Sequence, residues 1–252
     1  MFKNDAQYQK KTVLITGSNQ GLGFAIASLL DAREMQLLLV SRTLEKLERS
    51  VATLIHKELH DFQAIDLMTN NAVASLIYWI ENKHIIPDVI IHNLGGKIDC
   101  DMQPLSIVAL EQSLKLNLGI AAEINQYFLP KMVAKGAGRV IHISSNASFS
   151  GNSAPGYVAA KAAINGYVKS TARFYAKHNI MICAILPGII DHDGSVWSEK
   201  KRTQPEYYRK RISEMPLQRF NSPDEVATVI GDIVCSDNMI YAGSLIELAA
   251  GV

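Results

Sequence analysis

The sequence predicts a single α/β domain built on a doubly wound, seven-stranded parallel sheet with helices on both faces. Short apolar runs rich in Val, Ile and Leu alternate with longer amphipathic segments, and no linker rich in Pro, Gly or Ser divides them. Strands that alternate with helices favour a parallel sheet, because each helix returns the chain to the same edge. A chain of 252 residues that is 48% hydrophobic can bury one sizeable core, so we expect residues 1–252 to fold as one domain.

The individual elements follow from the period of the apolar residues. Apolar runs of strand type occupy 11–16, 36–40, 62–66, 87–92, 139–143, 180–186 and 245–248. Helical periodicity predicts helices over 24–30, 43–59, 72–82, 105–129 and 157–177. A last helix begins after Ser222, where an N-cap serine, a first-turn proline and a glutamate three residues beyond the serine come together.

Composition excludes several classes of partner. Lys and Arg number 25 against 24 Asp and Glu, and a formal charge of +1 gives no electrostatic case for nucleic acid or an anionic membrane. No apolar run is long enough to span a bilayer, and 1–5 is too polar to begin a signal peptide. The three cysteines are widely separated and lack metal-site spacing. We expect a cytoplasmic protein.

A glycine-rich turn follows the first strand and opens the first helix. It reads Gly17-Ser18-Asn19-Gln20-Gly21-Leu22-Gly23. Glycines at such a turn let backbone N–H groups approach a phosphate, and the helix N-terminus adds partial positive charge. The turn predicts a dinucleotide-binding site; a glycine turn without a ligand is the plain alternative.

The end of the second strand indicates which dinucleotide would bind. In a parallel sheet this end meets the adenosine ribose, where an acidic side chain favours NAD(H). Here the strand ends at Ser41, and the following Arg42 can grip a phosphate through two hydrogen bonds. The sequence therefore favours NADP(H) over NAD(H), with Arg42 as an ordinary surface arginine as the alternative.

Two further strand ends point to the same ligand. Asp66 closes the third predicted strand and is suited to an adenine amino group, although a plain helix N-cap is equally consistent. Asn93, Gly95 and Gly96 follow the fourth strand, where the glycines permit a second close backbone approach. Asn117 stands in the middle of a predicted helix, where asparagine is unfavourable; it holds a bend or a water, or faces solvent.

A serine pair, a tyrosine and a lysine occupy one strand–loop–helix unit. Ser144 and Ser145 follow the fifth strand, and Tyr157 and Lys161 stand four apart on the next helix, so they share a face. A nearby ammonium favours the ionised form of a phenol. Lowering a phenol pKa by about three units takes roughly 4 kcal/mol, which demands a second positive charge besides one lysine. A Tyr–Lys pair on a solvated helix face is the alternative interpretation.

The segment from about 191 to 215 has the composition of a lid over a site. It is polar and charged, with Trp197, Tyr207 and Tyr208 interspersed, and its basic clusters at 200–202 and 209–211 are expected to be a solvated face. The run 191–193 reads Asp-His-Asp, but three adjacent side chains do not converge on one ion in regular structure. We expect no metal site.

These motifs, taken as a set and in order, resemble the short-chain dehydrogenase/reductase family, with general similarity to its 3-oxoacyl-acyl-carrier-protein reductases. The resemblance covers 11–251 and rests on Thr16-Gly17-x-x-x-Gly21-x-Gly23, Asp66, Asn93-x-Gly95, Asn117, Ser144-Ser145, Tyr157-x-x-x-Lys161 and Pro187-Gly188. It implies a single Rossmann-type domain and an NADPH-dependent oxidoreductase that reduces a ketone or aldehyde reversibly. It also implies a homotetramer or dimer assembled through the two long helices.

The resemblance also assigns roles to residues. Tyr157 would be the general acid in reduction and the base in oxidation, Lys161 would bind the nicotinamide ribose and lower the Tyr157 pKa, Ser145 would hold the substrate oxygen, and Asn117 would position a water. Catalytic residues are thus Asn117, Ser145, Tyr157 and Lys161. Cofactor-binding residues are Gly17, Ser18, Gln20, Gly21, Leu22, Gly23, Ser41, Arg42, Asp66, Leu67, Asn93, Gly95, Tyr157, Lys161, Pro187, Gly188 and Ile190.

The sequence departs from the family pattern at several positions. Gln20 stands where many NADP-using members carry a basic residue, Leu94 replaces a small residue, and His192 occupies the place of a threonine that often meets the cofactor. Alignment of the fifth strand makes Ser145 the catalytic serine, whereas the commonest spacing to the tyrosine selects Ser144. An NAD-dependent alcohol or sugar dehydrogenase and a non-catalytic NADP-binding scaffold are the alternative functions.

Overall fold

A seven-stranded parallel sheet forms the centre of the molecule, which we describe from a computed structural model for residues 10–251. Residues 1–5, which the sequence predicts to be too polar to begin a signal peptide, lie outside the described residues. The strands are β1 Thr12–Thr16, β2 Gln36–Ser41, β3 Asp61–Ala64, β4 Val89–His92, β5 Gly138–Ile143, β6 Ile180–Pro187 and β7 Leu245–Leu248. Their spatial order is β3-β2-β1-β4-β5-β6-β7, and every neighbouring pair is parallel. The predicted fold class is confirmed.

Helices cover both faces of the sheet. They are α1 Gly21–Ala32, α2 Leu44–Ala52, α3 Ala72–Glu81, α4 Ile107–Leu114, α5 Ile120–Lys135, α6 Ala147–Ser150, α7 Pro155–Tyr175, α8 Val196–Thr203, α9 Pro205–Ser213 and α10 Pro223–Cys235. Short 3-10 turns occupy Lys57–Leu59, Ala176–His178 and Met239–Tyr241, and a π-helical segment occupies Lys115–Gly119. The predicted capping box at Ser222 and Glu225 is present.

Two apolar clusters, one on each face, fix the sheet between the helices. On β1, Val13 and Ile15 pack with α1, α2 and α10, whereas Leu14 packs with α3, α5 and α7. This split follows from the alternation of side chains along a strand. Because both faces are covered, the central strands read as continuous apolar runs. Within 10–251, no helix is long and apolar enough to cross a membrane.

The helix predicted over 43–59 is wrong in its second half. The α-helix ends at Ala52, and only Lys57–Leu59 forms a further 3-10 turn. The cause is a tertiary contact: the buried carboxylate of Asp31, on α1, accepts hydrogen bonds from the backbone N–H groups of Ile55 at 2.6 Å and His56 at 2.9 Å. Those N–H groups are therefore not available for the hydrogen bonds of an α-helix.

Two other predicted boundaries are also corrected. β3 ends at Ala64 instead of Asp66, because the Asp66 carboxylate accepts from the Met68 N–H at 3.0 Å and turns the chain. The long helix predicted over 105–129 begins at Ile107, continues to Lys135 and is interrupted by the π-helical segment around Asn117.

The sheet has its topological switch point between β1 and β4. The chain first builds outward from β1 to β2 and β3, then returns to place β4 on the other side of β1. Loops at the carboxyl ends of these two strands diverge to opposite faces and leave a crevice, where doubly wound folds bind their ligands. The glycine turn after β1 and Asn93 after β4 both lie there.

Candidate active site

The glycine turn after β1 is closed too tightly to admit side chains. Gly17 has φ +69°, and a Cβ at Gly23 would lie 2.1 Å from the Gly17 carbonyl oxygen. The Asn93 side-chain amide donates to the carbonyl oxygens of Thr16 at 3.1 Å and Gly17 at 2.9 Å. The turn is thereby held against the end of β4, with the α1 N-terminus facing the crevice.

The end of β2 supports the glycine turn from the other side. The Gly17 N–H donates to the Val40 carbonyl at 2.8 Å, and the buried Ser18 hydroxyl lies 3.4 Å from the same oxygen. Ser41 is buried beside this contact, while the neighbouring Arg42 is exposed. An exposed guanidinium next to the turn is free to meet a phosphate group.

A cleft of about 860 Å³ joins the glycine turn to the serine, tyrosine and lysine. The structure brings together along it many residues predicted for the site: Gln20, Leu22, Asn93, Gly95, Ser145, Tyr157, Lys161, Pro187, Gly188 and Ile190. The other predicted residues lie outside its lining: Gly17, Ser18, Gly21, Gly23, Ser41, Arg42, Asp66, Leu67 and Asn117. Leu67 has its side chain in the core, and Asp66 is exposed.

The two serines after β5 have different surroundings. The Ser144 hydroxyl is buried, 3.0 Å from the Lys161 carbonyl oxygen and 2.8 Å from the side-chain oxygen of Asn165, so it ties β5 to α7. The Ser145 hydroxyl accepts from the Ala147 N–H at 3.2 Å and is hydrogen-bonded to the Tyr157 phenol. Only Ser145 of the two is paired with the tyrosine.

Tyr157 and Lys161 are both withdrawn from water. Burial raises the pKa of the Tyr157 phenol above its ordinary 10.0, and the hydrogen bond from Ser145 acts in the opposite direction. Burial likewise lowers the pKa of the Lys161 ammonium to about 7. The Lys161 Nζ donates to the Ile143 carbonyl at 2.7 Å and lies 5.5 Å from the centre of the Tyr157 ring.

Asn117 is buried, so the interpretation in which it faces solvent is wrong. Its side-chain oxygen accepts from the Gly96 N–H at 3.0 Å, and its amide donates to the carbonyls of Gly96 at 2.9 Å and Ser113 at 3.0 Å. The bend that the sequence predicted as one alternative is the π-helical segment, a feature often found at functional sites. A Cβ at Gly95 would lie 2.7 Å from the Asn117 oxygen and 2.9 Å from the Lys161 Nζ, so a side chain here would push one of these groups aside.

Asp101 supports the tyrosine helix and was missed by the sequence analysis. Its buried carboxylate accepts from the backbone N–H groups of Gly156 and Tyr157, each at 2.7 Å, at the N-terminus of α7. A carboxylate there satisfies two free donors and complements the helix dipole. Since Asp101 is 56 residues from Tyr157 in the chain, no local spacing could reveal the contact.

The segment that the sequence predicts to be a lid contains two helices, α8 and α9, which line one end of the cleft. The Asp191 carboxylate accepts from the Ser195 hydroxyl at 2.8 Å and from the Tyr208 hydroxyl at 2.6 Å, so it anchors the lid. Its neighbour His192 covers the glycine turn, since a Cβ at Gly21 would lie 2.5 Å from the His192 Nε2. Within 10–251, no group of three His, Cys, Asp or Glu side chains is arranged to hold a metal ion.

Two buried imidazoles lie behind the site. His92, on β4, is bonded through Nε2 to the Asn125 side-chain oxygen at 2.8 Å, and its ring centre is 4.7 Å from that of His142, on β5. Burial lowers the pKa of His92 to about 4 and that of His142 well below 6.5. Both rings are therefore neutral at pH 7 and add no charge behind Lys161.

The residues present fit a nicotinamide dinucleotide. The glycine turn opens α1, whose N-terminus carries no side-chain cap and no acidic residue and offers partial positive charge to a phosphate. Gly95 packs closely against the side chains of Asn117 and Lys161, and a Cβ at Gly188 would lie 3.1 Å from the backbone of Ala249, so glycine lets the wall of the cleft pack tightly at both positions. An extended ligand can run along this path from the turn to Tyr157.

Comparison with known proteins agrees with this geometry. The short chain dehydrogenase family model matches residues 11–203. The 3-oxoacyl-(acyl-carrier-protein) reductase of Aquifex aeolicus is 30% identical over 254 residues, covering 98% of this chain and 99% of that protein. The enzyme of the same name from Thermotoga maritima is 27% identical, covering 96% and 97%.

Solved structures share the fold over nearly the whole chain. A 3-oxoacyl-(acyl-carrier-protein) reductase from Agrobacterium tumefaciens with NADP bound superposes with a TM-score of 0.89 at 26% identity, covering 97% of this chain and 95% of that one. L-sorbose reductase from Gluconobacter frateurii, complexed with NADPH and L-sorbose, has a TM-score of 0.86 at 24% identity and covers 96% of each chain. Together with the glycine turn and the Ser145, Tyr157 and Lys161 group, these matches establish that the chain belongs to the short-chain dehydrogenase family and is an oxidoreductase acting on CH–OH or C=O groups with NAD(P).

Proposed function

We propose that the protein is an NADPH-dependent carbonyl reductase, reversible as an alcohol dehydrogenase. The observation that carries the proposal is the Ser145–Tyr157 hydrogen bond, formed beside the buried Lys161 in a cleft that begins at a dinucleotide-type glycine turn. A hydroxyl pair of this kind can hold a carbonyl oxygen and deliver a proton to it. A buried cation close to the pair favours negative charge on that oxygen.

In the proposed reaction, side chains of the protein carry out the proton transfer. A reduced nicotinamide, when bound, would supply the hydride that the carbonyl carbon receives. Ser145 holds the carbonyl oxygen, and Tyr157 donates its phenolic proton as negative charge develops there. Lys161 stabilises the phenolate that remains, and Asn117, whose amide is fixed by Gly96 and Ser113, positions the water through which the proton is replaced.

The protonation state of Tyr157 favours the reductive direction. Because burial raises the pKa of the phenol, Tyr157 holds its proton at neutral pH and is ready to act as an acid. Use as a base in oxidation requires the phenolate, and Lys161, whose pKa is about 7, supplies only part of a charge at that pH. The positive charge of an oxidised nicotinamide would assist ionisation.

Preference for NADP(H) rests on Arg42. It is exposed at the end of β2, next to the buried Ser41, where no acidic residue stands to accept from a ribose hydroxyl. The A. tumefaciens relative binds NADP, whereas a fold neighbour described as xylitol dehydrogenase, 20% identical, is bound to NAD+. An NAD-dependent alcohol or sugar dehydrogenase is therefore the second candidate, and a non-catalytic NADP-binding scaffold the third.

We further propose a homodimer or homotetramer in the cytoplasm. Ile107 and Val108 on α4 and Phe174 on α7 are exposed apolar side chains on the long helices that family members use for assembly. The three cysteines are free, which supports a reducing compartment.

The proposal is tested by cofactor titration followed by turnover. Purified protein is titrated with NADPH and, separately, with NADH, and NADPH oxidation is then followed with a panel of ketones and aldehydes. We expect tighter binding of NADPH and carbonyl-dependent oxidation of it. Preference for NADH would favour the dehydrogenase alternative, and binding without any turnover would favour the scaffold.

A further inference from the structure

Three cationic side chains besides Lys161 line the cleft. Lys97 follows Gly96, Lys200 lies on α8 and Arg211 lies on α9, and all three line the cleft that contains Tyr157. No Asp or Glu lines it within the described part of the chain. Arg211 is paired with Glu214, but Lys97 and Lys200 form no salt bridge within 10–251.

The lid fixes one of these cations over an aromatic platform. The rings of Trp197 and Tyr207 are nearly parallel, at an angle of 8° with centres 6.1 Å apart, and the Lys200 Nζ lies 4.8 Å from each centre. Cation–π contact of this kind holds the ammonium in place without neutralising it. Tyr207 and Arg211 stand four apart on α9, so the arginine extends the same face of the lid.

Lys97 brings a like charge close to Lys200. Burial lowers the pKa of Lys97, and the charge of Lys200 lowers it further. Asp101 acts on Lys97 in the opposite direction, but its carboxylate accepts from the backbone N–H groups of Gly156 and Tyr157. Because the two lysines repel each other, an anion bound between them would be stabilising.

The phosphates of the cofactor do not account for these cations. The N-terminus of α1, which follows the glycine turn and carries no side-chain cap, is the expected place for a cofactor phosphate. Lys97 is instead close to Asp101, whose carboxylate holds the N-terminus of the Tyr157 helix. Lys97 thus lies toward the substrate side of the cleft, its charge interaction with Lys200 places that lysine near it, and Arg211 lines the same cleft.

We infer that the substrate is a small carbonyl compound that carries its own anionic group, a carboxylate or a phosphate, held by Lys97, Lys200 and Arg211 while Tyr157 faces the carbonyl. The inference rests on the proposed carbonyl reductase function and names its substrate class. Lysines provide point charges and Arg211 a planar donor pair, which together suit either type of oxyanion. Closure of α8 and α9 over the anion would bring all three cations around it.

The test compares substrates that differ in charge and share the carbonyl. The pairs are acetoacetate with methyl acetoacetate, dihydroxyacetone phosphate with dihydroxyacetone, and the acetoacetyl thioester of phosphopantetheine with that of pantetheine. They separate a carboxylate, a phosphate close to the carbonyl and a phosphate at the end of a carrier arm. We expect the anionic member of at least one of the first two pairs to have the higher kcat/KM by about tenfold or more.

Charge-removing variants identify the cations involved. Lys97→Gln, Lys200→Gln and Arg211→Gln should each remove most of the advantage of the anionic member and leave the neutral member within about twofold. Lys201→Gln is the matched control, because Lys201 is the next residue on α8 and lies outside this cleft. Equal losses for the control and the three variants would overturn the assignment of the cations, as would an advantage confined to the phosphopantetheine pair.

A binding measurement keeps the inference distinct from the proposed function. Trp79 and Trp197 are the only tryptophans, so the Trp79→Phe protein reports on Trp197 alone. With NADP+ bound, its fluorescence is titrated with each pair. Tighter binding of an anionic member supports the inference, even if neither member is reduced. Absence of reduction would count against the reductase function only. Equal binding of both members, or binding of neither, overturns the inference and leaves the reductase function intact.

Discussion

The hydroxyl of Ser145 is hydrogen-bonded to the phenol of Tyr157, while the adjacent Ser144 is bonded into the interior. The two serines are chemically identical, but their side chains point in different directions at the end of β5 and therefore have different roles. Both serines line the cleft, but the Ser144 hydroxyl fastens β5 to α7 and the Ser145 hydroxyl is bonded to the Tyr157 phenol. This division supports the assignment of Ser145 as the residue that holds the substrate oxygen.

Alanine substitution should distinguish the two serines. Ser145→Ala is expected to lower kcat by about 10²-fold or more, because a donor to the developing oxyanion is lost, with little change in stability. Ser144→Ala is expected to lower the free energy of unfolding by about 1–3 kcal/mol, because the buried oxygen of Asn165 loses its partner. Steady-state rates and urea denaturation of both variants check this; the reverse pattern would assign Ser144 to catalysis.

The pH dependence of the free energy of unfolding should reveal that the Lys161 ammonium is buried. Its pKa is lowered from 10.5 to about 7, so between those pH values the unfolded chain binds one more proton than the folded protein. Stability of the wild type should therefore rise with pH through this window, by up to about 1.4 kcal/mol per unit, and fall as pH decreases toward 7. Lys161→Met should lose that rise together with its activity. Parallel pH dependences of the two proteins would contradict a buried, destabilised ammonium.

A side chain at Gly95 should misalign the site, since a Cβ there would displace Asn117 or Lys161. We expect Gly95→Ala to fold and to lose about 10²-fold in kcat, because displacement by a fraction of an ångström misaligns the proton path. Gly166→Ala, on the exposed face of α7 with nothing within 4 Å of the new Cβ, should keep full activity and gain up to about 1 kcal/mol of stability. Equal activity of the two variants would refute the role of Gly95.

Arg42 should set cofactor preference. Arg42→Ala is expected to weaken NADPH binding by about tenfold or more and leave NADH binding unchanged, because only NADPH carries the 2′-phosphate. Ser41→Asp should reverse the preference. Arg49→Ala, which removes an exposed arginine that pairs with Glu45, is the control. Fluorescence titrations give the dissociation constants; an Arg42→Ala protein with unchanged preference would make Arg42 an ordinary surface residue.

The fold was predictable because buried parallel strands and capped helices have local signatures. The buried central strands appear as apolar runs, and the box at Ser222 and Glu225 marks a helix start by itself. The errors come from contacts across the chain. Asp31 ends α2 by capturing N–H groups 24 and 25 residues away, a competition that no window of sequence contains.

The site was predictable only in part, for the same reason. The tyrosine–lysine spacing and the glycine turn are local patterns, so the residues that carry them could be named. Asp101 and Lys97 lie in an irregular loop and act on α7 and α8 through space. The basic cluster at 200–202 was expected to be a solvated face, yet Lys200 lines the cleft because Trp197 and Tyr207 hold it there.

The most direct measurement is the rate at which the Tyr157→Phe protein oxidises NADPH in the presence of a carbonyl substrate that the wild type reduces. Removal of the phenolic oxygen deletes the proton donor and keeps the ring that packs beside Lys161. We predict a fall in kcat of about 10³-fold or more, with the NADPH dissociation constant unchanged within about twofold. A Tyr157→Phe protein that turns over at the wild-type rate would contradict the assignment of Tyr157 as the proton donor.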